Sequence, residues 1–404
     1  MEEVGAPLQS TYIAQLEWPL QDGLLWPAAQ ITDFPWVRAL PKFTGMPAPA
    51  QPNFRWVRKE AVGVVAAVTP WNFPFEIVLN KIGQALATGN TMIIKPSRQT
   101  PYSTTRLGRL IVEKTDIPAG VVNILTTTDR RLGDQLFTDP RIDMVSFTGS
   151  TGVGEHIIKL SAPTFKRTLL ELGGKSANII LDDAPDFAAA VGGAAFACIH
   201  AGQGCALPTR VLLPRSRYDE GVAILTQAFE NIVWGDPWDM ATLAGPLITA
   251  EHRAKVDGHV QRAVADGARL VVGGHVVEDL PGYFYEPTLL VDVDNDSAIA
   301  QQEVFGPVLG VTAYEDDDDA VRLANASTYG LSGWINGSPE RAFAIADRIR
   351  TGSLIINGGQ FYGADAPYGG YKSSGLGRQS GLEGFESYLQ TKAIGSATPL
   401  PSLA

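Results

Sequence analysis

Several short stretches hold residues able to do chemistry, and in each the reactive type stands beside glycine or proline. Cys205 lies in Gly202-Gln203-Gly204-Cys205-Ala206, after an apolar stretch that reads as a helix. Small neighbours leave room around the sulfur, and a helix end can alter a thiol pKa, so Cys205 is a candidate nucleophile. Free cysteines are usually inert core residues, and Cys198, earlier on that apolar stretch, reads as one. Asn72, in Pro70-Trp71-Asn72-Phe73-Pro74, follows a strongly apolar strand pattern. Beyond the carboxyl end of a strand, a side-chain amide can donate to a developing oxyanion. A proline-bounded turn with Asn chosen for its geometry fits the same residues. Glu171, in Glu171-Leu172-Gly173-Gly174-Lys175-Ser176, could be a general base if partly buried, or a surface acid paired with Lys175.

Two further stretches suit ligand binding. Phe147-Thr148-Gly149-Ser150-Thr151-Gly152-Val153-Gly154 follows a strand and opens a helix. Glycines there let a ligand reach the backbone, and the helix N-terminus favours an anion. The stretch departs from Gly-x-Gly-x-x-Gly, and a tight strand-to-helix turn also explains it. Glu303-Val304-Phe305-Gly306-Pro307 offers an acid for sugar hydroxyls and an aromatic for a ring; a Gly-Pro turn with a core Phe is the plain alternative. The five histidines show no metal-ligand spacing, so no metal site is expected. The acidic run at 315–319 reads as a solvated loop or helix start.

The elements that must carry these residues alternate. Strand patterns occupy 64–69, 91–94, 121–125 and 144–147, with a helix pattern at 76–87. A second alternating series fills 177–357, with strands at 178–181, 210–213, 309–313 and 353–356 and a helix at 339–350. Such alternation argues for an α/β fold with parallel sheets covered on both faces, in two units. Residues 1–60, rich in Trp and Pro, resist assignment.

Composition narrows the function. Hydrophobic residues make up 45% of the 404, enough for a sizeable core, and charged residues 19%. The net charge of −11 argues against a nucleic-acid partner, which needs a basic face. It suits small molecules, including anions held by a helix terminus or a single Lys. Two cysteines fit a reducing compartment. No signal peptide and no run of ~18 apolar residues is visible, so no membrane is expected and the cytoplasm is the expected setting.

In order and separation, these stretches resemble the aldehyde dehydrogenase superfamily. The resemblance runs over nearly the whole chain and also takes in Lys95-Pro96-Ser97 and Tyr368-Gly369-Gly370-Tyr371-Lys372. It implies a Rossmann-like cofactor domain (1–41 and 63–173), an α/β catalytic domain (174–373) and a small β oligomerisation arm (42–62 and 388–399). It further implies a homodimer or homotetramer. It puts the nucleophile on Cys205, the oxyanion-stabilising amide on Asn72 and the general base on Glu171, with Lys81 orienting the amide. An aldehyde would form a thiohemiacetal on Cys205, lose hydride to NAD or NADP, and leave as the acid after hydrolysis of the thioester. Members that transfer the acyl group to coenzyme A generally lack the acid at Glu171, so hydrolysis is implied. Cofactor contacts would fall on Trp71, Lys95, Ser97, Thr148, Gly149, Ser150, Leu172, Glu303 and Phe305.

Three departures from the family pattern shape the expectations. The chain begins well inside the cofactor domain of a typical member, so early elements are expected to be missing. Gln379 stands where a glutamate often serves as a proton relay. Arg98 stands where NAD-preferring members often have glutamate, so a 2′-phosphate could be held and NADP accepted. Phe73, Ile77, Asn80, Tyr362 and Tyr368 would line the aldehyde tunnel, suiting aliphatic or aromatic aldehydes better than charged semialdehydes. A Cys/Glu esterase, or a truncated homologue impaired in catalysis, remains the alternative.

Overall fold

The structure, a computed structural model, describes residues 2–41 and 53–400. A six-stranded sheet runs in the order Gly375–Leu376, Arg167–Glu171, Met144–Thr148, Val64–Val68, Thr91–Lys95, Val122–Ile124. All neighbours are parallel except Gly375–Leu376, which pairs antiparallel with Arg167–Glu171. The period-2 alternation of a strand sorts its core: Val65 and Ala67 pack on one face with Val78, Ile82 and Met92, and Ala66 packs on the other with Phe137, Val145 and Ile157.

A seven-stranded sheet follows in the order Arg269–Val272, Thr288–Val291, Val308–Tyr314, Arg210–Pro214, Ala177–Ile180, Gly333–Asn336, Ile355–Ile356. Only its first pair is antiparallel. The expected helix at 339–350 ends at Ala346, and the expected strand at 353–356 is reduced to Ile355–Ile356. The acidic run does start a helix, Asp317–Asn325, with the Asp316 carboxylate accepting from the Asp319 N–H at 2.9 Å.

The third sheet is antiparallel: Val37–Ala39, Phe54–Ala61 and Leu389–Ser396. Val37–Ala39 precedes the expected start of the arm yet pairs with it, and 42–52 lie outside the described residues.

The unassigned N-terminus is one helical run from Leu8 to Asp33. Wide π-type turns at Ile13–Glu17 and Gln21–Leu25 come just before Trp18-Pro19 and Trp26-Pro27. A proline inside a helix lacks its N–H and crowds the preceding turn, which a widened turn relieves. The run packs across the helix Pro74–Ala87 at two glycines: a Cβ on Gly83 would lie 1.6 Å from the Gly23 carbonyl oxygen. No helix among the described residues is long and apolar enough to cross a membrane.

Candidate active site

Parallel order brings the first group of residues together. Lys95, Thr148 and Glu171 each end a strand, and Trp71 and Asn72 follow Val64–Val68, all at the carboxyl-terminal edge of the six-stranded sheet. The second sheet contributes from its opposite edge. Cys205 precedes the strand Arg210–Pro214, and Glu303 and Phe305 precede Val308–Tyr314.

The approach to Cys205 is not the regular helix expected. It is a kinked stretch of 3-10 turns, Gly193–Gly202, ending in three left-handed residues: His200 (φ 52°), Ala201 (φ 54°) and Gly202 (φ 70°). Two of these are strained for a residue with a Cβ, so the surroundings must enforce them. His200 is buried, which pulls its pKa down to about 4, and Nε2 donates to the Asn72 carbonyl at 3.1 Å. Gln203, fully buried, donates to the His200 carbonyl at 3.0 Å and accepts from the Ile248 N–H at 3.0 Å. A Cβ on Gly202 would lie 2.0 Å from the Gly306 carbonyl oxygen, so only glycine fits. Asn72 Nδ2 donates to the Gln203 carbonyl at 2.9 Å, which leaves its second amide hydrogen available.

Cys205, Glu171 and Thr148 open on one cavity of about 220 Å³. The five expected tunnel residues, Phe73, Ile77, Asn80, Tyr362 and Tyr368, line it too. Glu171 is 3% exposed, so it is not a surface acid, and neither carboxylate oxygen has a hydrogen-bond partner. Burial pushes its pKa up to about 8, against the pull of Lys81 and Arg378. The Cys205 sulfur lies 3.4 Å from the Tyr368 hydroxyl. Its thiol is pushed up to about 12, first by burial and then by the carboxyls of Glu303, Glu171 and Glu76, while the Tyr368 contact works the other way. Cys198 is wholly buried in the core, with its thiol pKa raised by burial. Lys81 does not hydrogen-bond Asn72: its Nζ donates to Ser146 Oγ at 3.0 Å, and Ser146 Oγ lies 3.0 Å from the Tyr388 hydroxyl.

Sequence reasoning missed Trp18, Asp22, Glu76, Phe196 and Trp334 as cavity residues. The spacing of Phe73, Glu76, Ile77 and Asn80 marks one face of a helix and could have found Glu76.

The remaining candidates sit on the turns that follow these strands and on the segment before Val308–Tyr314. Ser150 precedes the helix Thr151–Ser161 without a side-chain cap bond, and a Cβ on Gly152 would meet only open space. The buried Thr148 hydroxyl has no partner. Gly149 N–H donates to the Glu171 carbonyl at 3.0 Å, tying this turn to the base. Leu172 packs over Gly154, where a Cβ would lie 2.6 Å from the leucine. Glu303 accepts from the Gly174 N–H at 3.0 Å and leaves no room for a Cβ on Gly173. Burial pushes Glu303 up to about 7, against Lys175, which neighbours Glu303 rather than Glu171. Phe305, left-handed at φ 57°, accepts from His252 Nε2 through its carbonyl at 2.7 Å and sets its ring edge-on to Trp71, centroids 5.4 Å apart. On the far side, the Lys95 amine is half-buried, with its pKa pulled down by that burial. Ser97 Oγ donates to Gln99 at 2.5 Å. Arg98 is exposed and has no hydrogen-bond or ion-pair partner among the described residues.

The family model for the aldehyde dehydrogenase family matches residues 35–394. A 3-succinoylsemialdehyde-pyridine dehydrogenase from a Pseudomonas species is 40% identical over 97% of this chain and 80% of its own length. The crystal structure of a betaine aldehyde dehydrogenase from Staphylococcus aureus, in complex with NAD+, superposes with a TM-score of 0.92. It is 37% identical, over 99% of this chain and 78% of that one. An NADP-dependent enzyme of E. coli superposes with a TM-score of 0.90 at 34% identity, over 98% of this chain and 80% of that one. The chain belongs to the aldehyde dehydrogenase family.

Proposed function

We propose that this protein oxidises an aldehyde to the carboxylic acid, with NAD or NADP as oxidant, through a thioester on Cys205 that Glu171 helps to hydrolyse. The observation that carries the reading is the convergence of a thiol and an unpartnered buried carboxylate on one cavity, with the Asn72 side-chain amide held to the Gln203 carbonyl two residues before the thiol. NAD+ in the S. aureus relative and NADP dependence in the E. coli one support the choice of oxidant. Ser150 at its helix N-terminus and the Trp71 indole N–H would hold the pyrophosphate. Thr148, Gly149 and Leu172 would flank the nicotinamide, Glu303 its ribose with Phe305 beside it, and Lys95 and Ser97 the adenosine ribose. When bound, the oxidised nicotinamide supplies the hydride acceptor.

The chain's own groups do the rest. Cys205 Sγ adds to the aldehyde carbon as the thiolate, its proton having passed to solvent. The free amide hydrogen of Asn72 and the Cys205 backbone N–H hold the resulting oxyanion; one such donor is worth ~10²–10³ in rate. At the thioester stage Glu171 takes a proton from water. A carboxylate whose pKa is raised to about 8 is a stronger base than an exposed one. Hydrolysis, not transfer to coenzyme A, follows from an acid at that place. Arg98, exposed and without a partner among the described residues, favours acceptance of NADP. The three-stranded sheet would join subunits into a homodimer or homotetramer, and two free cysteines fit the cytoplasm.

The test is reduction of NAD and NADP, followed by absorbance, with a panel of aldehydes. Reduction that needs aldehyde and gives one acid per cofactor is the expected result. Cleavage of activated esters with no cofactor reduction by any aldehyde would replace this reading with that of a Cys/Glu esterase.

A further inference from the structure

We propose that the cavity selects aldehydes whose far end is a cation, an ammonium or quaternary ammonium group received by Glu76, Asp22 and the rings of Trp18 and Tyr362. The inference rests on reading this cavity as the aldehyde site.

The geometry comes from two helices. Trp18 and Asp22 both face the cavity from the N-terminal helical run, Asp22 on its second π-type turn. Glu76 stands one turn before Asn80 on the helix Pro74–Ala87, and Asn80 Nδ2 donates to it at 2.8 Å. The Trp18 ring stacks on Tyr362, centroids 6.0 Å apart at 20°. Both residues keep nearly half their surface open, at 45% and 47%. Faces of Trp and Tyr within reach of a cation attract it through the ring quadrupole.

The charge balance points the same way. No Lys or Arg lines the cavity among the described residues, whereas Asp22, Glu76 and Glu171 do. Glu171 has Lys81 and Arg378 as electrostatic neighbours, and Glu76 shares Lys81. Asp22 has no such relief. Its charged neighbours are the carboxyls of Asp365 and Glu76, and neither Asp22 nor Asp365 forms an ion pair among the described residues. Burial first, and then a second carboxylate, holds both Glu76 and Asp22 above the usual carboxylate range. A bound cation removes that opposition, a neutral tail leaves it in place, and an anionic tail worsens it. The expected preference is therefore cationic over neutral over anionic.

Matched pairs test this. Trimethylammonioacetaldehyde and 4-(trimethylammonio)butanal differ from 3,3-dimethylbutanal and 5,5-dimethylhexanal by one nitrogen in place of carbon, at two chain lengths. At low salt, kcat/KM should favour the cation about tenfold in at least one pair. Asp22→Asn and Glu76→Gln should each lower that cation-to-isostere ratio. Because the ratio is taken within one preparation, a loss of folded protein cancels. A ratio at or below one in both pairs, or one that neither variant changes, overturns the proposal while aldehyde oxidation stands. Oxidation of none of the four overturns the proposal, and it overturns the reading of the site as well only when no other aldehyde of the panel is oxidised.

Discussion

At the scale of single residues, the two cysteines make opposite use of burial. Cys198 is wholly buried in an apolar core cluster, whereas Cys205 opens on a cavity beside Tyr368 and Glu171. Cys205→Ala should abolish aldehyde oxidation, while Cys198→Ala should keep most of it; substantial turnover by the first variant would sink the thioester route. Glu171 adds a pH signature. Its pKa is raised by burial to about 8, so the carboxylate that serves as base is a minority form below that pH and the dominant form above it. Hydrolysis of the thioester should climb as pH rises through about 8. Glu171→Gln should still give a burst of reduced cofactor, then deacylate ~10²–10⁴ times more slowly without that pH limb. A variant lacking the burst, yet binding cofactor normally, would put Glu171 in acylation as well. Arg98 bears on coenzyme choice. Arg98→Glu should lower the ratio of NADP to NAD efficiency by about tenfold or more, since a charge-assisted pair contributes ~1.5–3 kcal/mol. An unchanged ratio would show that Arg98 does not read the ribose.

At the scale of elements, the strands that end in Lys95 and Thr148 were legible because buried parallel strands read as apolar runs closed by glycine or proline. Asn72, Glu171 and Cys205 stood out for the same reason: each is a reactive type beside residues chosen for backbone shape. The N-terminal run was not legible. Its prolines and two π-type turns break the helical period, so Trp18 and Asp22 could not be placed on a face. Glu76 looked like an ordinary acid in a first helical turn, and its inward aim is set by the run packed across Gly23 and Gly83. The loop before Cys205 was misread as a helix end, because no local pattern announces left-handed His200 and Ala201; distant Asn72, Gly306 and Ile248 impose them. That dependence makes Gly202 a sensitive point. Gly202→Ala must move the 200–205 loop away from Gly306, and a misplacement of about 1 Å can cost ~10²-fold in rate. The expected outcome is a large fall in kcat with a smaller fall in melting temperature. A wild-type kcat would show that the loop is held by something other than this contact.

At the scale of the molecule, the cavity lies between the carboxyl-terminal edge of one sheet and the amino-terminal edge of another, so neither sheet alone makes a site. The third sheet takes no part in the cavity. Of its longest strands, only Trp56 and Leu389 are buried, and most of Leu389–Ser396 is open to solvent. Among the described residues no strand pairs with the outer edge of this antiparallel ribbon, so its eight-residue outer strand offers N–H and C=O groups along most of that edge. Natural proteins blunt such edges with charge or cover them, and here Lys392 is the one charged residue on the outer strand, already paired with Glu60. A second copy of the chain is the simplest cover, since a strand edge is complementary to itself in a two-fold arrangement. The expected mass in solution is therefore a multiple of 43.2 kDa. Amide hydrogen exchange locates the contact: the amides of Leu389–Ser396 that face away from Phe54–Ala61 should be protected at concentrations where the oligomer persists and lose that protection on dilution. A 43.2 kDa particle at every concentration, with fast exchange at those outward-facing amides throughout, would remove the ribbon as a subunit contact.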